Sequence, residues 1–193
     1  GMDRKEFLKA AAVAVAGVGL AALAKPVAVM AAPDRKASAR WGFLIDLRKC
    51  MGCQACSVAC KTEFDVRLGV FRSSVKSRES GVFPQTRKNF LPWLCNHCAK
   101  PTCLSQCPVD EVEADFNGVQ FKKRATYQRP DGIVLVDQDR CVGCGACVEL
   151  CPYKVRYLDP IKKAGGDAAS NPADKCTLCS HRLDEGVVPS CVN

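Results

Sequence analysis

Fifteen cysteines dominate the chemistry open to this 193-residue chain, and they fall into four ordered groups. The first is Cys50-x2-Cys53-x2-Cys56-x3-Cys60 and the second is Cys95-x2-Cys98-x4-Cys103-x3-Cys107, followed by Pro108. The third is Cys141-x2-Cys144-x2-Cys147-x3-Cys151, followed by Pro152, and the fourth is Cys176-x2-Cys179-x11-Cys191. Such cysteine usage means disulfides, zinc or iron–sulfur clusters. Cysteines two residues apart are poor disulfide partners for one another. Structural zinc sites use paired Cys-x-x-Cys ligands, but the longer Cys-x2-Cys-x2-Cys-x3-Cys run, twice over, is not their pattern. It suits a cubane iron–sulfur core, whose four irons sit at tetrahedral corners. A tight loop with a cysteine at every third position caps three corners and cannot curl to the fourth. The last cysteine of a run therefore ligates a different cluster.

Positioning falls to the segments around the groups. Asp46 to Cys60 aligns without gaps on Asp137 to Cys151, at an offset of 91 (Cys50 against Cys141), with the Asp, a Gly, an Ala and all four Cys in common. Each copy follows an apolar run that reads as a strand, Phe43 to Ile45 in one and Ile133 to Val136 in the other. Gly52, Gly143 and Gly145 allow close backbone approach and positive φ, so that backbone N–H groups can point at sulfur. Pro108 and Pro152 end their turns. Gly118 to Phe121 reads as strand, and residues 159–174 read as loop from their Gly and Pro content. The fold class expected is α+β: two bacterial-ferredoxin-like dicluster units, fused with pseudo-twofold symmetry and interrupted by inserted loops.

Composition narrows the function. The formal net charge is +8, but thiolate ligands outweigh the positive cubane cores and bring the loaded chain near neutrality. Basic stretches such as Lys122 to Arg124 are scattered and lack interleaved aromatics, which argues against nucleic acid. No Ser–His–Asp set, phosphate loop or dinucleotide fingerprint is present, and no carboxylate pair suggests acid–base work. His97 and His181, beside ligands of groups two and four, read as structural or sulfur-contacting rather than iron ligands. Trp41 and Trp93 read as packing groups.

The N-terminus reads as an address. Residues 2–9 are polar and partly basic, and Ala10 to Ala24 is an apolar run short for a membrane span of about 20 residues. A cleavage site after Ala31 makes residues 1–31 an export signal and residues 32–193 a tandem 4Fe-4S ferredoxin-type domain. Arg4-Lys5-x-Phe7-Leu8-Lys9 resembles the twin-arginine signal, with Lys5 in place of the second Arg; an uncleaved anchor is the alternative. Export of the folded protein would let clusters be inserted where thiols are reduced, and explains the cysteines without disulfides.

With these motifs the chain resembles the iron–sulfur subunits of membrane-linked molybdopterin oxidoreductases of the dimethyl-sulfoxide-reductase family. The resemblance runs from Trp41 to Asn193. It is most specific at Leu94 to Cys98 with Pro101, and at Ala173 to Cys179 with His181, Arg182 and Leu183. The nearest branches are the tetrathionate, thiosulfate, polysulfide and arsenate reductase subunits. The family implies four [4Fe–4S] clusters and a crossed pairing. Cys95, Cys98 and Cys103 share one with Cys151, and Cys141, Cys144 and Cys147 share one with Cys107. Cys176, Cys179 and Cys191 take Cys60. Cys50, Cys53 and Cys56 need a sixteenth cysteine, expected near position 195, so the chain reads as truncated with three complete ligand sets. Cys103 stands where some members carry Trp and a three-iron cluster, so a four-iron cluster is expected there. The family also implies a non-catalytic relay between a quinone-linked membrane subunit and a molybdopterin catalytic subunit. It would sit on the periplasmic side of the cytoplasmic membrane, with no small-molecule substrate of its own. An independent polyferredoxin carrier, or a subunit of a hydrogenase or formate dehydrogenase complex, are the alternatives.

Overall fold

The sequence repeat recurs in backbone conformation. In the computed structural model, which describes residues 40–161 and 171–192, helix α1 (Ala55–Phe64) and helix α3 (Ala146–Glu149) begin at matching positions of the two copies. Each is preceded by a left-handed residue, Gln54 at φ 64° and Gly145 at φ 76°. Gly can take this conformation without strain, while Gln54 is held in it by its side chain. Its Nε2 donates to the Val75 carbonyl and its Oε1 accepts from the Val75 N–H. The expected export signal, residues 1–31, and residues 162–170 of the expected loop lie outside the described residues.

Among the described residues, four antiparallel two-stranded sheets complete the fold. They are β1 (Ser73–Val82) with β2 (Gln85–Leu94), and β3 (Val112–Phe116) with β4 (Val119–Lys123). The others are β5 (Thr126–Gln128) with β6 (Val134–Val136), and β7 (Tyr157–Leu158) with β8 (Ala173–Asp174). The short helices α2 (Thr102–Ser105) and α4 (Ser180–Asp184) follow the Cys-x-x-Cys turns of groups two and four. The strand expected at Phe43 to Ile45 does not form. Its residues have no partner strand and Leu44 is 96% exposed, whereas Val134 to Val136 pairs with Thr126 to Gln128. An apolar run becomes a strand only when another backbone satisfies its N–H and C=O groups.

Among the described residues the buried aliphatic cluster is small: Ile133, Leu178 and Leu183, with Leu135 packed against them. Buried charge does much of the tethering. Arg129, after β5, reaches Asp131 (Nη2–Oδ2 2.6 Å) and grips Asp184 of α4 with two bonds of 2.8 Å. Its guanidinium also lies 3.8 Å from the centre of the Phe116 ring. Truncation at Arg129 strands the buried Asp131 carboxylate. Removing one partner of a buried pair costs about 3–5 kcal/mol, and the partial exposure of Asp184 places this one near the lower end. Arg129→Ala should therefore lower the denaturant midpoint for loss of visible cluster absorbance clearly more than Arg129→Lys does.

Candidate metal centre

All four Cys-x-x-Cys turns are built alike. The residue just before the second cysteine has positive φ in each: Gly52 at 77°, His97 at 44°, Gly143 at 69° and Leu178 at 54°. A left-handed residue in a tight turn points successive N–H groups to one side, making a concavity for anionic groups such as cluster sulfurs. Two backbone donors reach thiol sulfur, Leu178 N–H to Cys176 Sγ and Ala173 N–H to Cys141 Sγ, both at 3.3 Å.

The turns bring distant cysteines together. One small cavity is lined by Cys60, Cys176, Cys179 and Cys191, with Phe64, Leu94 and Leu178 among its apolar walls. A second small cavity is lined by Cys107, Cys141, Cys144 and Cys147, with Thr126 and Ala173. Cys98 lies within electrostatic reach of Cys95 and Cys151, and Cys103 within reach of Cys95. In group one, Cys53 is exposed and Cys50 and Cys56 are partly buried; Cys56 lies near enough to affect Cys191. None of the fifteen forms a disulfide. Among the described residues no three His, Cys, Asp or Glu side chains converge closely enough to hold a single metal ion. Each cavity gathers four cysteines, three from one group and one from another, the ligand number and crossed arrangement of a cubane core.

The electrostatics fit an anionic guest. Lys175 is 1% exposed and Arg156 is 5% exposed, yet neither meets a carboxylate at ion-pair distance among the described residues. Lys175 Nζ donates to the carbonyls of Val134 and Cys176. Arg156 Nε and Nη1, Arg72 Nη1 and His97 Nε2 are buried without a hydrogen-bond partner. Unpaired buried donors are costly, and four of them beside cysteine quartets fit groups that would accept from them. Burial, then the neighbouring Cys176 and other thiols, push the Cys60 thiol up to about 12, while Arg72 pulls the other way. Burial raises Cys176 to about 11. Such thiols ionise only with a compensating cation, as iron binding provides.

Both histidines take structural posts. Burial, reinforced by Lys175 and Arg156, lowers His97 to about 3, so the ring is neutral. Its Nδ1 accepts from the Val134 N–H at 3.0 Å, which places the proton on Nε2. His181 Nε2 meets Glu63 Oε1 at 2.7 Å, and Glu63 also receives Arg182 at 3.2 Å and Ser190. This carboxylate joins α1 to the segment bearing Cys179 and Cys191. Trp93 Nε1 donates to the Tyr153 carbonyl at 2.9 Å, two residues past Cys151, which makes it a packing group. Arg72, buried against Phe64, donates to Asp174 at 2.7 Å, and Tyr157 donates to the same oxygen at 2.6 Å.

The Glu63 junction predicts a pH effect. Hydrogen bonds from Ser190 and His181 hold its carboxyl below the usual range. A depressed carboxylate contributes stability above its ordinary titration range and loses it as pH falls through the depressed value. Glu63→Gln should release iron faster than wild type at neutral pH. The difference should vanish once acid has protonated Glu63 in wild type, as stopped-flow bleaching across pH would record.

Comparison with known proteins agrees with this geometry. The family described as a 4Fe-4S dicluster domain matches residues 86–193, covering groups two to four. A 4Fe-4S binding domain matches residues 41–62, covering group one. The chain is similar to a tetrathionate reductase subunit of Salmonella typhimurium, 39% identical over 98% of this chain and 69% of the relative. It is similar to a tetrathionate reductase subunit of Archaeoglobus fulgidus, 39% identical over 76% of this chain and 58% of the relative. It is likewise similar to the thiosulfate reductase electron transfer subunit PhsB of Salmonella typhi, 39% identical over 78% of this chain and 69% of the relative. The chain thus spans between 58% and 69% of the length of these relatives.

Proposed function

The chain belongs to the 4Fe-4S dicluster family, with iron–sulfur subunits of reductases among its relatives, and we propose that it relays electrons between two partner subunits of a respiratory reductase. The partners are a quinone-reactive membrane subunit and a molybdopterin catalytic subunit. The observation that carries this reading is the pair of cavities in which three cysteines of one group meet a single cysteine of another. Bound [4Fe–4S] clusters supply one-electron redox chemistry over a wide span of potentials. The chain's own residues hold thiolates, donate N–H groups to sulfur and exclude water. Among the described residues, no side-chain set for making or breaking a substrate bond accompanies them.

Two of the proposed ligand sets are supported by shared cavities. Cys60 joins Cys176, Cys179 and Cys191, and Cys107 joins Cys141, Cys144 and Cys147. Cys151 joins Cys95, Cys98 and Cys103 in a third set, and Cys50, Cys53 and Cys56 contribute three thiols to a fourth. The shared turn conformations of groups one and three support two dicluster units related by a pseudo-twofold axis. Residues 1–31 act as a twin-arginine-like export signal, which puts the mature protein on the periplasmic side of the membrane. Among the described residues no helix is long and apolar enough to cross a membrane; the membrane link in this reading is the quinone-reactive partner.

The β1–β2 hairpin is the best-formed docking element. Its strands are mostly exposed, and Val82 and Phe83 at the tip are 82% and 87% exposed. Replacing both tip residues with Ser should abolish co-purification with partner subunits while leaving iron content unchanged. Purification from the native organism tests the function. The chain should co-purify with a molybdenum-containing subunit, and its quinol-reduced clusters should reoxidise when a sulfur oxyanion is added. Recovery as a free, monodisperse carrier would overturn the reading.

A further inference from the structure

Arg156 is a permanent cation held inside the molecule with two of its nitrogens unused. Its Nη2 lies 3.5 Å from Thr126 Oγ1, and Thr126 forms part of the cavity wall lined by Cys107, Cys141, Cys144 and Cys147. Its Nε and Nη1 are buried and unpartnered. The side chain is anchored by the buried Val155–Arg156 segment directly ahead of β7.

We propose that Arg156 is a positioning residue for electron passage: its buried guanidinium, against the Thr126 wall of the Cys107/Cys141/Cys144/Cys147 set, raises the reduction potential of that set's cluster and of the cluster held by Cys95, Cys98, Cys103 and Cys151. Its reach to the two sets is visible in their thiols. The Arg156 charge opposes the upward push of burial at Cys103, in one set, and at Cys147, in the other. In the third set, Cys60 feels Arg72, Cys176 feels Lys175, and Cys179 feels Arg182 and Arg72.

The physical basis is Coulombic. One-electron reduction of a cluster adds one negative charge, and a fixed cation nearby in a water-poor interior favours the reduced form. Hydrogen bonds from Nε and Nη1 to cluster sulfurs act in the same direction. Because an arginine side chain does not lose its proton in proteins, the bias persists at every working pH. A single residue serving two sets keeps their potentials rising or falling together, which favours transfer between them.

The inference rests on the cluster reading above, and the test separates the two. Wild type, Arg156→Gln and Arg156→Lys are prepared anaerobically as the full chain and analysed for iron and labile sulfide. They are then titrated with dithionite and mediators under EPR detection. Signals are assigned by their loss in Cys60→Ser, Cys107→Ser and Cys151→Ser. Wild type without iron and sulfide would sink the cluster reading itself. With clusters present, Arg156→Gln should shift the reduction equilibrium of the two flanking clusters toward oxidised by about tenfold each, about 59 mV for a one-electron couple. The Cys60 cluster should stay put, and Arg156→Lys should restore most of the shift. Unchanged potentials, or an equal shift at all clusters, would overturn the proposal. If Arg156→Gln loses iron, loss confined to the two flanking sets and rescued by Arg156→Lys supports it, and equal loss from the Cys60 set overturns it.

Discussion

Cys60→Ser should abolish the cluster held by Cys176, Cys179 and Cys191, some 120 residues downstream, and spare the other three cysteines of its own run. Cys60 lines the cavity with those three cysteines, and their thiols are among the groups that raise its own. Loss should come to about four iron and four sulfide per chain, the content of one cubane. Cys107→Ser should do the same to the cluster of Cys141, Cys144 and Cys147, with which it shares the other cavity. Because each substitution falls in one run and each loss in another, EPR of the reduced variants separates crossed from uncrossed pairing. Loss of a cluster ligated by Cys50, Cys53 and Cys56 in Cys60→Ser would refute the crossed scheme.

Stripping iron should unfold the chain. Its buried aliphatic side chains are few, among the described residues Ile133, Val134, Val155, Leu94, Leu178 and Leu183 with two alanines, and each of the larger ones contributes about 1.5–3 kcal/mol when buried, while ordering each residue costs about 1–2 kcal/mol in backbone entropy alone. Much of the remaining interior is thiol and charge: Cys60, Cys107, Cys147, Cys151, Cys176 and Cys179 are buried, as are Arg156 and Lys175. Without anionic clusters those two cations and the orphaned donors face one another's repulsion in a desolvated space. Metal binding free energy then becomes folding free energy, as in small structural-metal domains. Chelation under mild oxidation should abolish near-ultraviolet circular dichroism and expose the chain to protease along most of its length. A stripped chain that keeps its dichroism and protease resistance would show that the protein scaffold stands alone.

Particular residues show how much of this could be read beforehand. Gly52 and Gly143 announced left-handed turns, because glycine between closely spaced cysteines has few other uses, and both carry positive φ. His97 and Leu178 adopt the same conformation in groups two and four with no glycine to signal it, and Gln54 does so through two bonds to Val75. That the last cysteine of a run serves another cluster followed from the reach of a short loop, while the specific partners came from family resemblance; two of the four expected sets line shared cavities. The buried cations were not legible. Lys175 and Arg156 looked like two more of 28 basic residues, since burial of a long charged side chain depends on contacts made far away. The same holds for Arg72, whose bond to Asp174 spans 102 positions. The strand expected at Phe43 to Ile45 failed for a related reason: apolar pattern is local, but strand pairing is not.

The central claim is that these thiols hold multinuclear iron–sulfur clusters. Iron, acid-labile sulfide and zinc measured on one anaerobic sample of the full chain test it most directly. Three complete cubane sets predict at least ~12 iron and an equal amount of labile sulfide per chain, with negligible zinc. Zinc bound without labile sulfide would contradict it.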